Sequence, residues 1–235
     1  LMSSQVPIKN FLEIPYDQLE ELNLKARKIT DPAIAEKTHR EYLEKEKRIK
    51  AITVCFSDIE GRLHMLDYDK KYFLSSTTNL TFDGSSIRGF TAQNESDLRL
   101  SIDWLSIMWL PSDIFGPGKL IIFANILNPD KSIFENDFRH KLQEYSERLK
   151  KTKNLEAFMG PEIEGFLLEG IDAEQSFDSR EGFKLISTGG YYHSLPLDRL
   201  RQFIDATAEA QRAMGFKNEK DHPEVAPSQF EINFS

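Results

Sequence analysis

The sequence is poor in cysteine, in long apolar runs and in positive charge, and each absence excludes a class of protein. Its single cysteine, Cys55, rules out an intrachain disulfide framework and favours a reducing compartment. The longest apolar runs, such as Leu120–Ala124, span about five residues, far fewer than the roughly 20 that cross a bilayer. Residues Leu1–Asn10 lack the charged head and apolar stretch of a secretory signal. We therefore expect a soluble, cytoplasmic protein without a membrane partner.

The charge and composition are those of an ordinary globular protein. A net charge of −8 lacks the basic footprint of a nucleic-acid binder, so no nucleic-acid partner is expected. The 235 residues are 40% hydrophobic and 29% charged, enough for one large or two small domains. Cys55 lies in the apolar run Ile52–Phe56, which favours a buried thiol over a reactive one.

The first half of the chain changes from helical to strand-like character near residue 50. The region Tyr16–Lys50 is rich in good helix formers and is interrupted near Asp31-Pro32. After it, short apolar segments bounded by turn residues predict strands. These segments are Ala51–Phe56, Arg62–Leu66, Leu80–Phe82, Leu98–Ile102 and Lys119–Ile126. The turn Asn128-Pro129-Asp130 is the best candidate for a domain boundary.

The second half predicts two helices separated by strand-like sequence. Ser132-x-x-Glu135 has the form of a capping box and predicts a helix that begins at Ser132. Apolar residues then recur at helical spacing and predict a stripe that faces the core: Phe134, Phe138, Leu142, Tyr145 and Leu149. Strand character returns over Leu155–Leu168, and a second amphipathic helix is predicted from Leu197 to Met214.

Two acidic clusters in the second half are candidates for chemistry. Glu162 and Glu164 project from one face if their segment is a strand, because side chains alternate along a strand. Their mutual repulsion would be relieved by a cation, and carboxylate oxygens suit Mg²⁺ or Mn²⁺. A solvent-facing strand edge is the alternative interpretation.

The second cluster and the Asp-Gly loop are ambiguous when taken alone. Glu224 and Glu231 converge only if the chain between them folds back, and two surface acids are the alternative. A lone histidine such as His222 is more often a hydrogen-bonded structural residue than a ligand. Asp83-Gly84 is a hairpin signal first and a functional loop second. The residues by themselves lead to a possible divalent-metal site and to no named reaction.

Taken together and in order, several segments resemble the type I glutamine synthetase family. The likeness extends from about Val54 to the last residue, and the Phe-Asp-Gly-Ser-Ser signature is its most specific part. The matching segments are Phe56–Gly61, Phe82–Phe90, Asn94–Asp97, Gly160–Glu164, Gly189–Tyr192 and Glu224–Glu231.

The resemblance implies an α+β fold: a β-grasp N-terminal domain followed by the start of an incomplete α/β catalytic domain of glutamine synthetase type. The expected divisions are a helical extension over residues 1–50, the β-grasp domain over 51–128 and the first part of the catalytic domain over 129–235. Family members are commonly homododecamers with active sites shared between subunits, so a homo-oligomer is expected.

The resemblance also implies ligation of ammonia to L-glutamate, with ATP as co-substrate and Mg²⁺ or Mn²⁺ as cofactor. Glu164, Glu224 and Glu231 would hold the metal nearer the glutamate, and Glu162 would help to hold the metal on the nucleotide phosphates. Asp83 matches the aspartate of the ammonium site and would act in the neighbouring subunit. Phe90 and Glu219 belong by position to the substrate and nucleotide region.

The sequence departs from the family pattern at several positions. Pro223 stands where members commonly have His, Phe230 where they often have His or Asn, and Ser228 where they frequently have Gly. The residues that would complete the catalytic domain are absent, so this chain alone is expected to be inactive. Two alternatives remain: a non-catalytic binding or regulatory module derived from a synthetase, and a γ-glutamyl amine ligase.

Overall fold

The structure is a computed structural model that describes residues 11–193 and 195–234. Residues 1–10, which bear on the expected absence of a signal sequence, lie outside the described part. The chain forms two compact units, divided between Ala157 and Phe158. The domain divisions expected from the sequence remain predictions. No helix in the described ranges is both long and apolar enough to cross a membrane.

The first unit combines helices with a mixed sheet. Its helices are α1 (Tyr16–Arg27), α2 (Pro32–Lys45), α3 (Lys70–Ser76), α4 (Ser112–Phe115) and α5 (Phe138–Lys153). Its strands are β1 (Ala51–Ser57), β2 (Leu63–Asp69), β3 (Leu80–Asp83), β4 (Asp97–Ile102), β5 (Met108–Trp109) and β6 (Leu120–Leu127). The strands expected from the sequence are thus present, with small differences at their ends.

The sheet of the first unit has the order β2-β1-β6-β4-β3, and β5 pairs with β6. β1 and β6 run parallel at its centre, whereas the other pairs are antiparallel. The side chains of Ile52–Phe56 on β1 are all buried, as a continuous apolar strand at the centre of a covered sheet requires. Burial confirms the interpretation of Cys55 as a core residue and raises the pKa of its thiol to about 11.

The two N-terminal helices are separated where the sequence predicted a break. The Asp31 side chain accepts hydrogen bonds from the backbone N–H groups of Ala33 and Ile34, and Pro32 occupies the first helical position. The Asn23 side chain donates to the backbone carbonyl of Trp109 and accepts from its N–H, at 2.9 Å each. These two bonds hold α1 against β5.

The start of α5 differs from the capping-box prediction, which is wrong. Ser132 lies in a turn, where its N–H and hydroxyl both donate to Asp130. The helix begins at Phe138, and its N-cap is Asp137, which accepts from the His140 N–H at 3.0 Å. Asp137 also accepts from the Ile126 N–H of β6 at 2.7 Å. This hydrogen bond to a strand determines where the helix starts. A local sequence pattern cannot predict it, because Ile126 lies on a different element.

The prediction of a core-facing apolar stripe on α5 is also wrong for this chain. Phe134, which precedes the helix, is buried, but Phe138, Leu142 and Tyr145 are 49%, 64% and 49% exposed. The side of α5 that contacts the sheet is polar instead. The Asn125 side-chain amide donates to Gln143 Oε1 at 2.9 Å, and Arg139 donates to the side-chain oxygen Oδ1 of Asn125 at 2.7 Å. The helix therefore attaches to β6 through side-chain hydrogen bonds.

The second unit has one helix and a three-stranded antiparallel sheet in its described part. The elements are β7 (Glu162–Phe166), α6 (Arg199–Ala213), β8 (Asn218–Pro223) and β9 (Gln229–Phe234). The strand order is β7-β9-β8, so β7 is an edge strand shorter than the predicted Leu155–Leu168. α6 buries Leu200, Ile204 and Ala208, in agreement with its predicted apolar side. Contacts of α6 with β8 and β9 place it over one face of the sheet and leave the other face for polar side chains.

Candidate metal centre

A β-hairpin brings Glu224 and Glu231 together. β8 and β9 are paired up to Pro223 and Phe230, and the Glu224 N–H donates to the Gln229 carbonyl at 2.8 Å. The connecting turn includes Ser228 in the left-handed region at φ 62°. The chain thus folds back between the two glutamates, as their convergence requires.

His222 joins these two carboxylates on the same hairpin. Its Nδ1 lies 3.8 Å from Glu224 Oε1, and its Nε2 lies 4.0 Å from Glu231 Oε2. One ligand atom from each of the three residues lies within 4.8 Å of the other two. Atoms bound to one ion at about 2.1 Å stand roughly 3 to 4 Å apart, so only a small contraction is needed. Two carboxylates and an imidazole form a donor set that fits Mg²⁺, Mn²⁺ or another divalent metal.

Neighbouring side chains hold the carboxylate and the imidazole of this cluster in place. The Asn233 amide donates to Glu231 Oε1 at 2.7 Å and lowers the pKa of that carboxyl, against the opposing effect of burial. The ring of Tyr192 meets the His222 ring edge-on, with centroids 4.7 Å apart. The Tyr191 hydroxyl donates to that of Tyr192 at 2.7 Å, and this bond is the main reason that the pKa of Tyr191 rises to about 12.

Glu164 and Glu162 lie on β7, in the same sheet. Glu164 is the register partner of Glu231, and Glu162 is the partner of Asn233. Both are exposed, which agrees with the solvent-facing edge that was the alternative interpretation. The Gln229 amide donates to Glu164 Oε2 at 3.0 Å. The three-residue cluster therefore includes neither residue, although directly opposed strand positions place Glu164 beside Glu231.

Asp83 lies in the first unit, at the end of β3. Its Oδ1 accepts from the Ser85 hydroxyl at 2.7 Å and from the Ser85 N–H at 2.8 Å, and these bonds lower the pKa of Asp83. β3 and β4 pair antiparallel, but residues 84–96 connect them, so Asp83-Gly84 opens a long loop and not a tight hairpin. The side chain is exposed and ionised at neutral pH.

Phe90 and Glu219 have very different surroundings. Phe90 is half-buried in the middle of the same loop, and its ring packs against that of Phe134 with centroids 5.2 Å apart. It also lies near Phe56 and Phe82 and so belongs to an aromatic cluster of the first unit. Glu219 is exposed on β8.

Comparison with known proteins identifies the family. Residues 48–129 match the model of the glutamine synthetase β-grasp domain, and residues 135–235 match that of the glutamine synthetase catalytic domain. The two matches follow each other in the family's order and together cover most of the chain. The chain belongs to the glutamine synthetase family. Its fold is accordingly a β-grasp domain followed by the start of a catalytic domain.

Individual glutamine synthetases agree with this assignment. The chain is 32% identical to the glutamine synthetase of Thermotoga maritima over 190 residues, which are 80% of this chain and 42% of that protein. It is 33% identical to that of Methanosarcina mazei, over 81% of this chain and 41% of the relative. The glutamine synthetase structure of Plasmodium falciparum matches with a TM-score of 0.66 at 18% identity, over 88% of this chain and 44% of that one. The chain thus spans less than half the length of these glutamine synthetases.

Two departures from the glutamine synthetase pattern have local structural explanations. Ser228 is fully buried at positive φ, where glycine is the least strained residue. Its hydroxyl compensates by accepting from the N–H groups of Ile186 and Ser187 at 2.8 and 2.9 Å. Phe230 packs against Phe203 of α6, with centroids 5.1 Å apart. Neighbouring strand residues point to opposite faces, so Phe230 lies away from the face that carries Glu231.

Sequence reasoning missed the side chains that surround the glutamates. His222 was interpreted as a structural residue, yet it lies within the cluster, and Gln229 and Asn233 orient Glu164 and Glu231. One signal was available: alternate residues of a strand share a face, so His222 and Glu224 could have been paired by spacing. Asn233 can donate to Glu231 only because of the way the strands pair, and no pattern in the local sequence indicates this contact.

Proposed function

We propose that this chain contributes to ATP-dependent ligation of ammonia to L-glutamate, which gives glutamine through a γ-glutamyl phosphate. The observation that carries the proposal is the convergence of His222, Glu224 and Glu231 on one hairpin of a glutamine synthetase-type domain. We infer that the complete reaction also uses residues outside this chain, because the aligned region covers only 42% and 41% of the two relatives named glutamine synthetase.

Carboxylates of the second unit would organise the phosphoryl-transfer site. We assign Glu164, Glu224 and Glu231 to the metal nearer the glutamate, with His222 as a further ligand or close neighbour, and Glu162 to the metal on the nucleotide phosphates. Bound Mg²⁺ or Mn²⁺ would supply charge neutralisation on the transferring phosphoryl oxygens. The opposed positions of Glu164 and Glu231 and the hydrogen bonds from Gln229 and Asn233 support this assignment.

Asp83 would bind the ammonium ion, in the site of a neighbouring subunit of a homo-oligomer. The γ-carboxylate of glutamate attacks the γ-phosphorus of ATP and releases ADP. The bound ammonium then transfers a proton to the Asp83 carboxylate, and the resulting ammonia attacks the acyl carbon and displaces phosphate. The two donors from Ser85 keep Asp83 ionised, which favours attraction of a cation. Phe90 and Glu219 are assigned to the adjoining nucleotide and substrate region.

Metal binding and turnover test this proposal separately. The purified chain should bind Mn²⁺ in an electron paramagnetic resonance titration but produce no glutamine from glutamate, ammonium and ATP. In the glutamine synthetase of Thermotoga maritima, the residue that aligns with Glu164 should then be changed to alanine. Loss of both Mn²⁺ affinity and turnover is expected there, and unchanged values for both would refute the ligand assignment.

The acceptor is tested by substitution of Asp83. The corresponding Asp→Ala change in a complete relative should raise the apparent KM for ammonia more than that for ATP. The opposite order would count against an ammonium site. A preference of the native protein for an alkylamine over ammonia would replace the proposed reaction by γ-glutamyl amine ligation.

A further inference from the structure

A loop of the second unit that runs from Ser187 to His193 carries two tyrosines that pack against His222. The ring of Tyr192 meets the His222 ring edge-on with centroids 4.7 Å apart, and the Tyr191 ring does so at 5.6 Å. Tyr192 lies in the left-handed backbone region at φ 57°, which is strained for a residue other than glycine. Such a conformation persists only where the surrounding contacts hold it in place.

The far end of this loop meets the imidazole at one backbone oxygen. The Tyr192 N–H donates to the carbonyl of Pro223 at 3.2 Å, and Nδ1 of His222 lies 3.1 Å from the same oxygen. A carbonyl oxygen only accepts, so the proton of the neutral imidazole resides on Nδ1. The other nitrogen, Nε2, is then unprotonated, and it faces Glu231 Oε2 at 4.0 Å. The loop and the hairpin together therefore set the orientation of the His222 ring.

The start of the loop is held by a buried hydrogen-bond network. The Ser187 hydroxyl donates to Asp198 Oδ2 at 2.8 Å and accepts from the Gly189 N–H at 3.2 Å. The Ser187 N–H donates to Ser228 Oγ at 2.9 Å, and the Ser187 carbonyl accepts from the same hydroxyl at 3.2 Å. Ser228 lies in the turn of the β8–β9 hairpin. Ser187 thus connects the loop both to this hairpin and to Asp198.

Asp198 makes one bond more than an N-cap requires. Its Oδ1 accepts from the Leu200 N–H at 2.9 Å, which is the ordinary capping bond of α6. Its second oxygen, Oδ2, accepts from Ser187. Both side chains are buried, at 9% and 7% exposure, so water does not replace this bond easily. Serine caps a helix about as well as aspartate does, and the second bond is what distinguishes aspartate here.

We propose that Asp198 and Ser187 are positioning residues for His222. Their hydrogen bond holds the start of the loop, and the loop in turn keeps Tyr192 against the imidazole. The Nε2 atom of His222 consequently stays directed at Glu231. The whole chain of contacts lies within the second unit. Its effect on metal affinity rests on the proposed metal centre, whereas its effect on the orientation of the ring does not.

Nuclear magnetic resonance of the His222 ring in the whole chain tests the positioning. The protein has five histidines, so five imidazole Hε1 signals are expected, and His222→Gln assigns its signal. Tyr192→Leu removes the facing ring and defines the shift that loss of this contact produces. Asp198→Ser keeps a capping oxygen for Leu200 but has no second oxygen for Ser187, so it should move the signal in the same direction by a comparable amount. Ser187→Ala, which leaves the N-cap intact, should do the same.

Two further variants serve as controls. Asp31→Ser makes the same change at the N-cap of α2 in the first unit and should leave the His222 signal in place. The double variant Asp198→Ser/Ser187→Ala should shift the signal no further than Ser187→Ala alone, because both substitutions remove one shared bond. Amide exchange in β9 shows whether the second unit remains folded. An unmoved His222 signal in the folded single variants, or fully additive shifts in the double variant, would overturn the proposal.

Mn²⁺ binding gives a second, separable measurement. Asp198→Ser and Ser187→Ala should each weaken Mn²⁺ binding about tenfold in an electron paramagnetic resonance titration, the low end of the effect of residues that orient a metal ligand. A moved His222 signal with unchanged Mn²⁺ affinity would support the positioning and contradict the place of His222 in the proposed metal centre. Weaker Mn²⁺ binding with an unmoved signal would overturn the positioning, because the affinity would then be lost by another route.

Discussion

Glu164 on β7 and Glu231 on β9 are register partners in the sheet of the second unit, and His222 is the partner of Glu231 on its other side. The three side chains therefore form one row across three strands. Directly opposed carboxylates destabilise a sheet unless a cation or hydrogen-bond donors compensate them. Here Gln229 donates to Glu164 and Asn233 donates to Glu231, and each bond leaves further oxygen lone pairs for a cation.

Substitution of Glu231 should weaken metal binding. Because its carboxylate lies at the centre of the row, Glu231→Gln is expected to lower the Mn²⁺ affinity of the chain about 10- to 100-fold. Glu224→Gln should have a similar effect. The measurement is a titration followed by electron paramagnetic resonance of free Mn²⁺.

The control for this prediction is Glu209→Gln. Glu209 lies on α6 and pairs with Arg212 at 2.5 Å, so its substitution changes the net charge equally without touching the cluster. Equal losses of affinity in the Glu209 and Glu231 variants would show that Mn²⁺ responds to net charge and not to a site.

The ionisation of Asp83 should depend on Ser85. Both hydrogen bonds that lower the pKa of Asp83 come from this serine, and the hydroxyl bond is the larger cause. Ser85→Ala removes the hydroxyl and should raise the pKa of Asp83 toward its ordinary value, as followed by carboxyl ¹³C chemical shift against pH. Ser86→Ala, at an exposed neighbour, is the matched control, and equal titration curves for the two variants would contradict the argument.

Ser228 offers a test of strain against hydrogen bonding. Ser228→Ala keeps the strained positive φ but leaves the N–H groups of Ile186 and Ser187 unpaired, so the second unit should lose about 2 to 3 kcal/mol of stability. Ser228→Gly loses the same bonds but relieves the strain, and should be about 1 kcal/mol less destabilising. Both tryptophans lie in the first unit, so hydrogen exchange of β9 amides is the suitable measurement. A glycine variant less stable than the alanine variant would contradict the strain argument.

Asp137 should contribute more to stability than an ordinary N-cap. Its buried carboxylate caps α5 and also accepts from the Ile126 N–H, so Asp137→Ala should cost about 2 to 4 kcal/mol. Asp31→Ala, at the exposed N-cap of α2, should cost about 1 kcal/mol. Urea unfolding followed by tryptophan fluorescence compares the two. Similar losses would show that the bond to β6 adds little.

Cys55 should be protected from alkylation in the native protein. Burial raises the pKa of its thiol to about 11, so little thiolate exists at pH 8, and the side chain is inaccessible. Iodoacetamide should react about two orders of magnitude more slowly, or slower still, with native than with urea-unfolded protein. The rate is followed by intact mass, and comparable rates in the two states would argue against a buried position.

The sequence predicted those elements whose formation depends on local signals. The break between α1 and α2 follows from Asp31-Pro32, and the central strands follow from short apolar runs between turns. The start of α5 could not be predicted in this way, because Asp137 is selected as N-cap by a bond to Ile126 on another element. The exposure of the apolar stripe on α5 could not be predicted for the same reason. Only tertiary contacts decide which side of an amphipathic helix meets the sheet.

The candidate site was predictable in its residues more than in its geometry. The resemblance to the glutamine synthetase family pointed to Glu164, Glu224 and Glu231, and the β8–β9 hairpin brings the last two together. The approach of His222 to Glu231 depends on the register of β8 against β9, which spacing along the chain does not determine. The same register places Asn233 where it can orient Glu231.

The β8–β9 hairpin has a consequence for how order in the second unit would respond to its environment. His222, Glu224 and Glu231 are all contributed by this single hairpin, and β8 is an edge strand of its three-stranded sheet. A metal held by these three side chains would link the two strands of the hairpin. It would stabilise their pairing in proportion to the logarithm of the free metal concentration. Amide exchange in the hairpin would then vary with metal supply, and local folding would serve as an indicator of metal availability.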